Sequence, residues 1–243
     1  MIRFVYFDLD DTLLDHRAAE GAALGACRER WAERLGAHAL AHVRATYDRH
    51  NAPLWRDYGA GRVTRAELQH LRFRRTLDAL GAPELDADEV GAHYLARYAA
   101  HWACLAGAEA AFLAVARRYP VGLLTNGFVE LQRAKLAAFP ALAARASAVV
   151  ISEDVGAAKP HPRLFAHAAE AAGVAPAEIL LVGDSLHADV EGALAAGWQA
   201  AWYRPSEAGA EPGAELGPPG AFAFSDWRAL LDRLDVPRAG APG

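Results

Sequence analysis

The sequence predicts an α/β protein: a doubly wound parallel sheet that carries a small inserted all-helical domain. Three observations predict it. Residues 3–8 form a short apolar run ending in acids, the pattern of a strand buried on both faces. Residues 17–102 show apolar positions at helical spacing and no strand signal. From residue 108 onward, short apolar runs alternate with helical stretches, which implies right-handed βαβ units.

The elements follow in order. In the helical stretch, Leu24, Cys27, Trp31 and Leu35, then Leu68, Leu71, the stem of Arg75 and Leu77, mark apolar stripes. Gly36, Gly59, Gly61, Gly81 and Pro83 punctuate them, so about four helices are expected. Beyond it, helices are expected over 108–118 and 129–139, from Pro162 to Gly173, and over 188–196 before Gly197. Strands are expected over 121–125, 148–152, 179–183 and 199–203. Residues 205–220, rich in Gly, Pro, Ala and Glu, read as a loop, and 227–234 as a last short helix. The tail 237–243 is expected to be disordered. The division is then an α/β core of 1–15 and 105–243 and a helical insert of 16–104.

Composition narrows the function. The 243 residues are 53% hydrophobic, enough for a core. Net charge is −5 and no basic run stands out, which argues against a nucleic-acid partner. No apolar run reaches the roughly 18 residues of a membrane span, and a core strand opens the chain where a signal peptide would stand. Cys27 and Cys104 lie far apart with no CxxC pair and read as reduced thiols. A cytoplasmic monomer or homodimer is expected. Of the 25 Lys+Arg, only Lys135 and Lys159 are lysine, a hint that a compact ammonium is needed there.

In open α/β sheets ligands bind outside the carboxyl ends of the strands. Four such ends carry polar residues: Asp8-Leu9-Asp10-Asp11-Thr12, Thr125-Asn126-Gly127, the Lys159-Pro160 segment, and Gly183-Asp184-Ser185 with Asp189 beyond. Asp8, Asp10 and Asp184 together would repel unless a cation joined them. Mg²⁺, a hard cation taking oxygen ligands and substrate phosphate, answers that need. Asp8 is then a candidate nucleophile toward phosphorus and Asp10 a candidate acid and base. Thr125 and the adjoining Asn126, with Lys159, are candidates to hold phosphate, and Thr12 to brace the turn. Each piece alone is ordinary: DxD occurs in many surface loops, Thr-Asn-Gly is often only a turn, a lone Lys is usually solvated, and Gly-Asp-Ser before a helix is often a cap. Their conjunction, each at a strand end, is not.

These four motifs resemble those of the haloacid-dehalogenase superfamily of hydrolases, with its Rossmann-like core: DxDxT at Asp8–Thr12, Thr125 after a strand, Lys159, and GDxxxxD from Gly183 to Asp189. The resemblance implies Asp8 as nucleophile and Asp10 as acid/base. It implies Mg²⁺ held by Asp8, the backbone carbonyl of Asp10 and Asp184, with Asp189 holding Lys159 or a metal-bound water. A helical insert directly after the first motif resembles the group with a small helical cap. The stretch from Asn51 to Tyr58, Leu68-Gln69-His70, Arg72-Phe73, LLTNGFVELQRAKL and VISEDVGAAKP are similar to bacterial 5′-nucleotidases that prefer pyrimidine nucleoside monophosphates. A magnesium-dependent phosphomonoesterase acting on a small phosphorylated substrate is therefore expected. The alternatives are a phosphatase of another metabolite, such as a sugar phosphate or phosphoglycolate, a haloacid dehalogenase, a phosphomutase, and a phospho-receiver switch. Trp55, Tyr58, His70, Tyr94, Tyr98 and Trp102 could stack on a base, but most are expected to pack the insert's own core.

Overall fold

The computed structural model describes residues 1–205 and 218–237. The chain divides into two compact units, Met1–Asp15 with Cys104–Gly243, and His16–Ala103. Most of the expected loop at 205–220, and the tail after Pro237, lie outside the described residues.

The first unit is built on six parallel strands: β1 (Phe4–Phe7), β2 (Val121–Thr125), β3 (Ala146–Ile151), β4 (Ile179–Gly183), β5 (Gln199–Tyr203) and β6 (Ala221–Phe224). Their order is β3-β2-β1-β4-β5-β6. Connections run one way from β1 to β3 and the other way from β4 to β6, so the switch lies between β1 and β4. The sheet is doubly wound, as the sequence predicts.

The period-two alternation of β1 explains its two-sided burial. Val5 and Phe7 join one core with Phe112 of α6 (Ala108–Val115) and with Trp227 and Leu230 of the C-terminal helix Trp227–Arg233. Phe4 and Tyr6 join a second core with Leu164 and Phe165 of the helix Pro162–Ala172 and with Trp198. Tyr6 is fully buried, and its hydroxyl donates to the Ala168 carbonyl at 2.8 Å, so no buried polar group is left over there.

The elements of this unit that escape the sequence reading include a strand and a short helix. Strand β6 is only four residues long, yet it pairs with β5 from Ala200↔Ala221 to Tyr203↔Phe224. Trp227 secures it, stacking on Tyr203 at 4.6 Å and meeting Phe224 edge-on at 5.4 Å. The short helix Pro140–Arg145 starts on a proline and precedes β3. The helix expected over 188–196 is a π-helical turn, Leu186–Glu191, continued by the α-helical turn Gly192–Ala195.

The second unit holds α1 (His16–Arg30), the single turn α2 (Ala32–Leu35), α3 (Leu40–Gly59), α4 (Arg65–Ala79) and α5 (Ala87–Ala100). Thr64 and Glu67 form a capping box at the start of α4, and Asp86 caps α5. Tyr47, Phe73 and Tyr94 meet at ring distances of 5.2–5.6 Å. Tyr94 stacks on Tyr98 at 5.9 Å, so these two tyrosines are packing residues of the unit. Arg75 was expected on the apolar stripe but is exposed; Arg72 is the buried arginine, its guanidinium over Phe73 and Tyr94. Cys104, expected in the insert, belongs to the α/β unit, where it bridges to Leu14. Cys27 and Cys104 are free thiols, and burial pushes them up to about 12 and about 11. No helix among the described residues is long and apolar enough to cross a membrane.

Candidate active site

The site forms at the carboxyl ends of β1, β2 and β4, beside the switch point. Asp8 continues β1 by one residue, its N–H donating to the Val182 carbonyl at 2.8 Å. The chain then turns tightly: the N–H groups of Leu13 and Leu14 donate to the Leu9 carbonyl at 2.9 and 2.8 Å. Asp11 donates to the Leu14 carbonyl at 2.7 Å and takes a φ of 59°, a left-handed conformation that Asp tolerates better than most residues. Leu9, Leu13 and Leu14 go into the core, which leaves Asp8, Asp10, Asp11 and Thr12 as the turn's polar side chains. Thr12 is fully buried and donates to Asp184 Oδ1 at 3.2 Å, joining the ends of β1 and β4.

Lys159 sits at the centre of the charges. Its Nζ donates to Asp8 Oδ1 at 2.6 Å and to the Leu124 carbonyl at 2.9 Å, and it pairs with Asp189 Oδ1 at 2.6 Å. Burial would lower its pKa, but Asp189 and Asp8 outweigh burial and hold it above the usual lysine range. One ammonium does not balance three acids. Burial raises Asp8 well above the carboxylate range; Lys159 pulls it down, and Asp189 and Asp184 push it up again. Burial, then Asp189 and Asp11, raise Asp184 to about 6.

Gly183 explains the GD motif. A side chain there would overlap the carboxylate of Asp189, whose Oδ2 accepts from the Ser185 N–H at 3.0 Å. Only glycine lets the Leu186–Glu191 turn swing Asp189 back beneath β4 toward Lys159.

Asn126 and Lys159 are clamped reciprocally at the end of β2. The Lys159 N–H donates to Asn126 Oδ1 at 2.8 Å, and Asn126 Nδ2 donates to the Lys159 carbonyl at 3.1 Å. The Asn126 amide is thereby a brace for the Lys159 segment. Gln132, on α7 (Val129–Ala138), donates from Nε2 to Thr125 Oγ1 at 2.7 Å, the Asn126 carbonyl at 2.9 Å and Asp10 Oδ2 at 3.1 Å. Gly127, at φ 149°, makes room: a Cβ there would lie 2.9 Å from Gln132 Nε2.

The structure therefore gathers Asp8, Thr12, Lys159, Asp184 and Asp189 into one connected group, with Asn126 attached through the Lys159 backbone and Thr125 tied to Gln132. Asp10 departs from the expected trio of acids. Its carboxylate lies on Lys135, at 2.6 and 2.7 Å, and on Gln132, and Asp189 takes its place among the clustered acids. Asp8, Asp184 and Asp189 bring one carboxylate oxygen each within 4.8 Å of one another. Buried oxygen donors in excess of the local positive charge fit a hard divalent cation such as Mg²⁺. The residues that sequence reasoning passed over are Gln132 and Lys135; only the rarity of lysine pointed to the second.

The match to known families agrees with this geometry. The family model for haloacid dehalogenase-like hydrolases matches residues 2–197. The chain belongs to that family. Among haloacid dehalogenase-like hydrolases, it is 31% identical over 242 residues to the pyrimidine 5′-nucleotidase PynA of Streptococcus pneumoniae, covering 96% of this chain and 95% of that one. It is 39% identical over 199 residues to the phosphoserine phosphatase of Thermus thermophilus, covering 77% and 74%. The magnesium-bound crystal structure of the HAD-hydrolase YfnB from Bacillus subtilis matches with a TM-score of 0.77 at 26% identity, over 97% of this chain and 99% of that one.

Proposed function

We propose that this family member is a magnesium-dependent phosphomonoesterase that works through a phosphoryl group carried on Asp8, with nucleoside 5′-monophosphates as substrates. The observation that carries the reading is the division of the two DxD aspartates. Asp8 faces Lys159, Asp184 and Asp189, whereas Asp10 is held apart on α7.

Asp8, Asp184 and the backbone carbonyl of Asp10 would hold Mg²⁺, which supplies charge neutralisation between an anionic phosphate and an anionic nucleophile. Lys159, whose three donors are engaged by Asp8, Asp189 and the Leu124 carbonyl, offers its positive charge to the phosphate, and the Thr125 hydroxyl offers a donor. An Asp8 carboxylate oxygen forms the bond to phosphorus as the ester P–O bond breaks, and Asp10 gives its proton to the departing alkoxide. Asp10 then takes a proton from water, the water oxygen attacks phosphorus, and the Asp8–phosphoryl bond breaks. Inorganic phosphate leaves and both aspartates are restored. A dehalogenase would have no leaving alkoxide for Asp10 to protonate, and no phosphate for the cation to meet.

The nucleotide reading is supported by the relative PynA, whose similarity runs nearly the whole length of this chain. The identity to a phosphoserine phosphatase favours a second reading, a small phosphorylated metabolite. Phosphate release from a panel of phosphomonoesters, with Mg²⁺ and with chelator, separates them. Release led by UMP, dUMP or dTMP supports the first. Release led by phosphoserine, a sugar phosphate or phosphoglycolate overturns it and keeps the phosphatase.

A further inference from the structure

The two lysines of this chain meet the two aspartates of the DxD motif, one each. Lys159 serves Asp8. Lys135, on α7 and only 2% exposed, places its Nζ 2.6 Å from Asp10 Oδ1 and 2.7 Å from Oδ2, so one ammonium engages both carboxylate oxygens. Gln132, one turn earlier on the same helix face, adds a donor at 3.1 Å to Oδ2. We propose that Lys135 is a positioning residue that fixes the Asp10 carboxylate, and that Gln132 ties this carboxylate to Thr125. The proposal rests on the reading of Asp10 as the proton-transfer group.

Three features carry it. Burying an ammonium is costly unless it is paired, and an apolar residue would serve the packing of α7 better. All but two of the 25 Lys+Arg residues are arginine, so lysine at this place is unlike the rest of the chain. An ammonium is a compact point charge and fits a confined space where a planar guanidinium needs more room. The Gln132 amide points the same way. The Asn126 carbonyl only accepts, so the NH₂ end must face it and with it Asp10 Oδ2. That orientation leaves Gln132 Oε1 buried with no hydrogen-bond partner among the described residues. The chain bears an unpaired buried carbonyl in order to present donors to Asp10, Thr125 and Asn126. One helix thereby sets the proton-transfer group and the phosphate-holding hydroxyl in a single frame, as precise catalysis requires.

A double-mutant cycle tests this: wild type, Lys135→Met, Asp10→Asn and the double variant, each with the ester that wild type hydrolyses fastest. Lys135→Met is expected to lower kcat by about 10²-fold with little change in KM. In the Asp10→Asn background the same change should cost about twofold or less. Equal losses in both backgrounds would mean that Lys135 acts through the fold and not through Asp10, and would overturn the proposal. If Lys135→Met does not fold, Lys135→Gln, which keeps N–H donors but no charge, takes its place in the cycle with the same expected pattern. Crystal structures of wild type and variant give a readout independent of turnover. Asp10 should leave its present place when Lys135 is replaced, and an unmoved Asp10 would overturn the proposal. A wild type that releases no phosphate would instead refute the phosphatase reading, which the structural comparison does not need.

Discussion

The ammonium of Lys159 stands 2.6 Å from Asp8 Oδ1, with both side chains buried. Lys159 also pairs with Asp189, so Lys159→Met would strand two buried carboxylates at once. Breaking a buried pair from one side costs about 3–5 kcal/mol, and urea unfolding of the metal-free protein should show a loss of that order. Lys159→Arg keeps the charge but overfills a place bounded by Asp8, Asp189 and the Leu124 carbonyl. It should cost about 1–3 kcal/mol and most of the activity. A Lys159→Met protein as stable as wild type would show that the pair does not hold the site together.

Gly183→Ala should act through Asp189. The added methyl overlaps the Asp189 carboxylate, so either the Leu186–Glu191 turn shifts or the Lys159–Asp189 pair opens. A loss of about 1–3 kcal/mol is expected, with a comparable fall in kcat. In a Gly183→Ala/Asp189→Ala double variant the stability losses should fall short of additive, because the clash is gone.

The raised carboxylates make metal-free stability depend on pH in a definite direction. Asp184 titrates at about 6 in the folded chain, against an ordinary value of 3.8. Between those values the folded state binds more protons than the unfolded state, so stability falls as pH rises through that window and levels off above it. Asp8, raised as well, adds with the same sign. The loss from Asp184 should be on the order of 1–3 kcal/mol. Mg²⁺ prefers the ionised carboxylates, so it should raise Tm more near pH 7.5 than near pH 5. Asp184→Asn should stabilise the metal-free protein at neutral pH and remove the Mg²⁺ response. A Tm rise with Mg²⁺ that is equal in wild type and Asp184→Asn would place the cation elsewhere.

Much of the fold was legible because it rests on local signals. The bounds of β2, β4 and β5 were readable as apolar runs closed by polar residues or glycine. The helix Pro162–Ala172 was readable from Pro162 at its start and Gly173 at its end. Strand β6 was not, because four residues carry little pattern and their stability comes from β5 and Trp227. In the site, the strand-end positions of Asp8, Thr125 and Asp184 were legible from the topology alone. The roles of Gln132 and Lys135 were not: their partner Asp10 lies 122 and 125 residues away in sequence, and a Gln and a Lys on a helix carry no local mark of burial. The approach of Asp189 to Lys159 was legible only through the family resemblance, because it depends on a π-helical turn and on Gly183 having no side chain.

The central claim, that Asp8 carries the phosphoryl group, is tested most directly by mass spectrometry of the protein quenched in acid during turnover. With Mg²⁺ and a hydrolysed ester, the peptide containing Asp8 should carry one phosphoryl group. Asp8→Asn should carry none and release no phosphate while keeping its fold. A wild type that turns over with Asp8 unmodified, or an Asp8→Asn protein that hydrolyses the ester at the wild-type rate, would contradict the account.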